Sequence, residues 1–145
     1  MPETTVLNYA AALERLNKAI EVKGADYVNA PLNKNGFRPH CRNVNEDGSG
    51  SCIVGTAFLP EITTAGLTFE DEGNNVGVGS LLQSHLDGQI QVTLKALRLL
   101  ERVQDRQDSG DTWGDALTAA QEYANDTYLG YELDDKMAVP DPTYA

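Results

Sequence analysis

The residues able to do chemistry are few: two cysteines, two histidines and a set of charges sorted by sign in the second half of the chain. Cys52 follows the run Gly48-Ser49-Gly50-Ser51 at the expected start of a short helix, where backbone N–H groups and the helix dipole favour a thiolate. Nucleophilic catalysis by that thiolate needs a base, and His40 and His85 are the only imidazoles. Neither stands in a thiol-enzyme motif. Cys52 also adjoins Ile53 and Val54, the company kept by a buried structural cysteine, so a packing role is favoured over catalysis. His40, Cys41, Cys52 and His85 supply the ligand types of a Cys2His2 zinc site. Such sites pair their ligands about two to four residues apart, whereas these cysteines stand eleven apart, and no metal or cofactor is expected.

Two further patterns come close to a site without making one. Asn45, Asp47, Ser49 and Gly50 match the first, third, fifth and sixth positions of a calcium loop, but the anchoring glutamate of its twelfth position is replaced by Thr56. A polar hairpin turn is the simpler reading. The glycines at 73, 77 and 79 form neither a dinucleotide fingerprint nor a phosphate loop ending in Gly-Lys-Ser/Thr.

Charge is more informative. The formal net charge is -11; residues 1–60 carry six groups of each sign, and residues 61–145 carry sixteen acidic against five basic ones. That half repels a nucleic-acid backbone, so direct nucleic-acid binding is disfavoured. Along one expected helix, Lys95, Arg98, Arg102 and Arg106 share a narrow face, with Glu101, Asp105 and Asp108 on another. Stripes of one sign are less typical of helix self-stabilisation than alternating pairs four residues apart. Either the basic face neutralises the acidic C-terminal tail of the same chain, the favoured reading, or it docks an acidic partner or a nucleotide phosphate.

The elements that must position these groups are mostly helical. Thr4 or Thr5 can cap a helix running to about Lys23, stopped by Gly24, with Val6, Ala10, Leu13, Leu16 and Ile20 as its apolar stripe. Residues 26–29 and 41–44 read as short strands around a loop, and Ser51 as the cap of a buried helix over 52–59. Pro60 closes that helix or opens the next turn. A short helix over 80–86 is stopped by Gly88, and residues 89–92 alternate like a strand. Thr93 caps a strong helix to about Gln107, with Ala96, Leu99, Leu100 and Val103 as its apolar arc. Gly110 ends it, and Thr112 with Asp115 forms a capping-box start for a helix faced by Trp113, Ala116, Leu117, Ala120 and Tyr123. Those two helices make an antiparallel hairpin.

The spacing thus predicts an α-dominant α+β domain over residues 1–126, built from a long N-terminal helix, the C-terminal hairpin and a small antiparallel sheet of 26–29, 41–44 and 89–92. All-α is the alternative. Residues 127–145 form an acidic, tyrosine-rich tail. At 145 residues the chain can bury a full core without staples. No leader follows Met1 and no apolar run is long enough for a membrane, so a cytoplasmic protein with reduced thiols is expected.

The succession Asp26-Tyr27-Val28, Cys41 with its hairpin, and Ser51-Cys52-Ile53-Val54-Gly55 resembles small proteins of actinobacteriophages and some actinobacteria. So does the stretch from Gln104 through Thr112-Trp113-Gly114 to Leu117. The resemblance spans most of residues 5–124 and misses the tail. It implies a phage accessory protein acting in the host cytoplasm, and its motifs assign no catalytic residue. Together these features favour a non-enzymatic protein that binds and modulates a host macromolecule, a host protein first, with self-association left open. A small thiol-dependent enzyme using Cys52 ranks second. An acidic mimic of nucleic acid ranks last, because the basic stripe interrupts its charge.

Overall fold

In the computed structural model, the described residues are 4–28, 43–68, 77–86, 88–126, 134 and 136–138. Strand β1 (Thr5–Leu7) runs straight into helix α1 (Tyr9–Lys23) through Asn8, whose extended backbone and side chain cap the Ala11 N–H at 2.9 Å. Gly24, at φ 98°, ends α1 with its N–H on the Ile20 carbonyl, a backbone region that glycine enters without penalty. Helices α2 (Ile53–Ala57) and α3 (Leu59–Thr64) follow one another across Phe58, and Pro60 stands in the first turn of α3, where no intrahelical N–H is needed. The single turn α4 (Val78–Ser80) widens into a π-helical turn over Leu81–His85. Strand β2 (Ile90–Val92) then leads into α5 (Leu94–Asp108) and α6 (Trp113–Ala124).

The C-terminal hairpin forms as its sequence predicts. Thr93 caps α5 by accepting the Ala96 N–H, and Thr112 caps α6 by accepting the Asp115 N–H. Contacts run in opposite order along the two helices: Arg98 meets Tyr123, and Arg106 meets Asp111. The helices are therefore antiparallel. The expected arc of Ala96, Leu99, Leu100 and Val103 is buried in α5, as are Trp113, Ala116, Leu117 and Ala120 in α6. Tyr123 is only half-buried, and Ala124 takes the inner position beside it.

Helices dominate, as expected, but the sheet differs from its prediction. Among the described residues it has two strands, β1 and β2, and they are parallel, with Thr5 opposite Ile90 and Leu7 opposite Val92. Of the three expected strands only the one near 89–92 belongs to it. Residues 26–28 form no strand, and the Tyr27 carbonyl, with that of Ala25 just before it, is used elsewhere: they accept the Trp113 and Gly114 N–H groups, satisfying the start of α6. Asn29, Cys41 and Arg42 lie outside the described residues. Val44 makes a lone antiparallel bridge to Gly50 across the polar turn.

Helix starts shift for similar reasons. Thr5 pairs with β2 instead of capping α1, and Val6 lies in β1 with 54% of its surface exposed. The buried stripe of α1 is Ala12, Leu16 and Ala19, with Leu13 and Ile20 half-buried and Ala10 exposed. Small side chains at 12 and 19 let α1 lie close against α2 and α5. One core joins all these elements, and Trp113, Phe58, Ile53, Leu99 and Leu100 lie wholly inside it. Each such large side chain contributes about 1.5–3 kcal/mol by leaving water.

Candidate functional site

The π turn and the outer face of α5 enclose a groove of about 760 Å³. A π turn takes one residue more per hydrogen bond than an α turn, here Leu86 N–H to the Leu81 carbonyl at 3.0 Å. Leu81 and Leu82 are thereby anchored in the core while Gln83 and Ser84 line the groove. Val78, Ser80, Leu94 and Leu97 add a partly apolar floor. The opposite wall comes from α5 and from Tyr123 of α6, and it carries Arg98 and Arg102, two members of the sorted basic stripe.

Tyr123 fixes both arginines. Its hydroxyl accepts a long hydrogen bond from Arg98 Nη1 at 3.5 Å, and its ring lies under the Arg102 guanidinium at 4.9 Å. Arg102 also faces Asp105 at 3.8 Å across exposed surface, a pair that contributes little. What stands out is unmet demand: the Nε–H donors of Arg98 and Arg102 are both buried and have no hydrogen-bond partner among the described residues. A buried unpaired donor costs about 1–3 kcal/mol, more when charged. Glu101, Asp105 and Asp108 give the same wall an acidic fringe. Glu101 is exposed overall, yet partial loss of water around its carboxyl pushes its pKa above the ordinary value, against the opposing pull of Arg98.

The other two basic residues are engaged away from the groove. Lys95 Nζ sits over the Tyr9 ring at 4.6 Å, and Arg106 Nε donates to Asp111 Oδ2 at 2.7 Å. The described tail carboxylate, Asp134, is held by the Tyr9 N–H and the Thr93 hydroxyl.

Cys52, the candidate nucleophile, is wholly buried. It is Cys52, not Ser51, that caps α2: Sγ accepts the Gly55 N–H at 3.2 Å and donates to Asn43 Oδ1 at 3.4 Å. Both hydrogen-bonding capacities of the thiol, one donor and one acceptor, are used inside the fold. His85 ends the π turn, while His40 and Cys41 lie outside the described residues. Among the described residues, no three His, Cys, Asp or Glu side chains are placed to share a metal ion.

The calcium-like segment is a polar turn. Asp47 Oδ1 accepts from Ser49 through both N–H (2.9 Å) and hydroxyl (2.6 Å), and Asn45 Nδ2 reaches Ser49 Oγ and the Gly50 carbonyl. Those bonds from Ser49 hold the exposed Asp47 carboxyl below its usual pKa.

Two buried polar groups were not legible in the sequence. Gln107 is 1% exposed, and its Oε1 accepts the Ile53 N–H at 2.7 Å, so α5 supplies the second donor–acceptor pair at the start of α2. Glu61 of α3 is buried beside Arg15 of α1, whose guanidinium also lies over the Phe58 ring at 5.3 Å. In sequence each looks like an ordinary polar helix residue, and only the packing of α1, α2 and α5 turns them inward. Neither a family model, nor a curated protein, nor a solved structure matches this chain. No helix among the described residues is long and apolar enough to cross a membrane.

Proposed function

We propose that this protein works by binding, and that the groove beside α5 receives a carboxylate-bearing segment of a host protein whose action it modulates. The observation that carries the reading is the pair of guanidinium groups on Arg98 and Arg102, held by Tyr123 in the wall of an open groove. An incoming carboxylate meets the Arg102 guanidinium, whose side chain keeps 40% of its surface exposed, through charge-assisted hydrogen bonds, and the apolar floor gives such a segment area to bury. The resemblance to actinobacteriophage proteins supports a partner in the host cytoplasm. The competing enzyme reading requires a reactive Cys52 thiolate, and burial with both hydrogen bonds occupied counts against it.

The test is affinity capture from host lysate with the wild-type protein and the Arg98→Glu/Arg102→Glu variant side by side. The wild type retains a specific protein that the variant loses, while both keep the same unfolding midpoint. Capture of no specific protein, or equal capture by both, refutes the groove as the binding site.

A further inference from the structure

The described part of the tail does more than lie on the surface. Asp134 Oδ1 accepts the Tyr9 N–H of α1 at 2.9 Å and the Thr93 hydroxyl at 2.8 Å, so one carboxylate sits at the N-terminal ends of two 15-residue helices. Both helix dipoles favour negative charge there. Beyond it, the Leu94 N–H donates to the Lys136 carbonyl at 2.8 Å and the Ala138 N–H to the Val92 carbonyl at 2.9 Å, closing an antiparallel bridge between Thr93 and Met137. The Thr93 N–H points the other way, to Leu7 of β1. Successive residues of a strand alternate in direction, so residues 136–138 occupy the edge of β2 that β1 leaves open.

We infer that Asp134 and residues 136–138 form a strap that opens and closes as a unit over the start of α5, with Asp134 as its pin. Its hold is polar: Met137 is 37% exposed, and only Ala138 packs on the core. Units held by hydrogen bonds with little apolar burial sit at the low-stability end of a fold. Opening the strap bares the β2 edge and the first turn of α5, including Leu94, a residue that lines the groove. Through Leu94 the strap is coupled to whatever fills the groove, a clause that rests on the binding reading above. The strap itself does not.

Amide exchange and limited trypsin digestion of the full chain without any ligand test it. The bond after Lys136 is the trypsin site, and its carbonyl is tied to Leu94 while the strap is closed. Asp134→Ala is expected to raise exchange at Leu94 and Ala138, and cleavage after Lys136, by about tenfold or more, with Leu99 and Leu100 unchanged. Thr93→Ser keeps the hydroxyl and is expected at the wild-type rate. Unchanged rates in Asp134→Ala, or a rise spread equally over Leu99 and Leu100, overturn the strap. A rise in Thr93→Ser equal to that in Asp134→Ala overturns the pin. Since no ligand is present, failure here leaves the groove reading to its own test.

Discussion

Replacing Gly55 by alanine is expected to cost far more than its small size suggests. A Cβ built on Gly55 would lie 1.9 Å from the Asn43 carbonyl oxygen and 2.6 Å from the Asn43 carbonyl carbon, far inside contact distance and against backbone rather than a movable side chain. The carbonyl is not free to retreat. It accepts the Ser51 N–H at 3.0 Å, and the Asn43 side chain accepts from Cys52. Overpacking of this kind costs about 1–3 kcal/mol, and displacing a buried carbonyl from its partner adds about 1–3 kcal/mol. The better helix propensity of alanine returns about 1 kcal/mol. The net loss is about 3 kcal/mol, a fall in Tm of roughly 6–12 °C for a domain of this size. Urea titration followed by the emission of Trp113, the only tryptophan and wholly buried, measures it. Gly79→Ala is the control: nothing lies within 4 Å of its Cβ and its backbone is helical, so a gain of about 0.5–1 kcal/mol is expected. If Gly55→Ala is as stable as the wild type, the close approach of α2 to Asn43 is not a feature of the folded protein.

Three further outcomes follow from the same geometry. In a Cys41→Ser background, Cys52 is expected to react with a thiol reagent only as fast as the protein opens, and rapid labelling of the native protein would contradict its place as the α2 cap. Gln107→Leu leaves the Ile53 N–H buried without its acceptor and is expected to cost about 2 kcal/mol; equal urea midpoints for Gln107→Leu and the wild type would refute the link between α5 and α2. The depressed pKa of Asp47 makes the Ser49 turn most secure above the ordinary carboxylate pKa, and its contribution is lost as pH falls through the lower folded value. Protection of the Ser49 amide is therefore expected to persist at neutral pH and to be lost only in acid below the ordinary carboxylate range; protection that stays constant through acid would show the carboxylate is not its acceptor.

Helices α5 and α6 were legible because each signal is local. Thr93 and Thr112 cap, Gly110 reverses the chain, and the apolar positions recur at helical spacing. The sheet was not, because β1 contributes three residues whose partner lies 85 residues further along the chain, and pairing across that separation leaves no mark in Thr5-Val6-Leu7. The same distance drew Thr5 away from the cap of α1 and left Asn8 to do it. Asp26-Tyr27-Val28 has strand composition, but the N–H groups of Trp113 and Gly114 claim the carbonyls around it, a demand visible only once α6 is docked. The candidate site was half legible. Charge sorting singled out Arg98 and Arg102, yet nothing in their spacing tells them from Lys95 and Arg106, which Tyr9 and Asp111 engage. The groove also needs the π turn, whose extra residue has no sequence signature here.

The parallel pairing of β1 with β2 also sets an order of assembly. The α5–α6 hairpin needs only its own short turn, so its contacts close over little chain and at small entropic cost. The Thr5–Ile90 seam instead closes over the 84 residues between its two halves, at a larger entropic cost. On a ribosome, β1 emerges before β2 and remains without its partner until Val92 has left the tunnel. A nascent chain halted before that point carries a strand whose hydrogen-bonding edge is still unsealed.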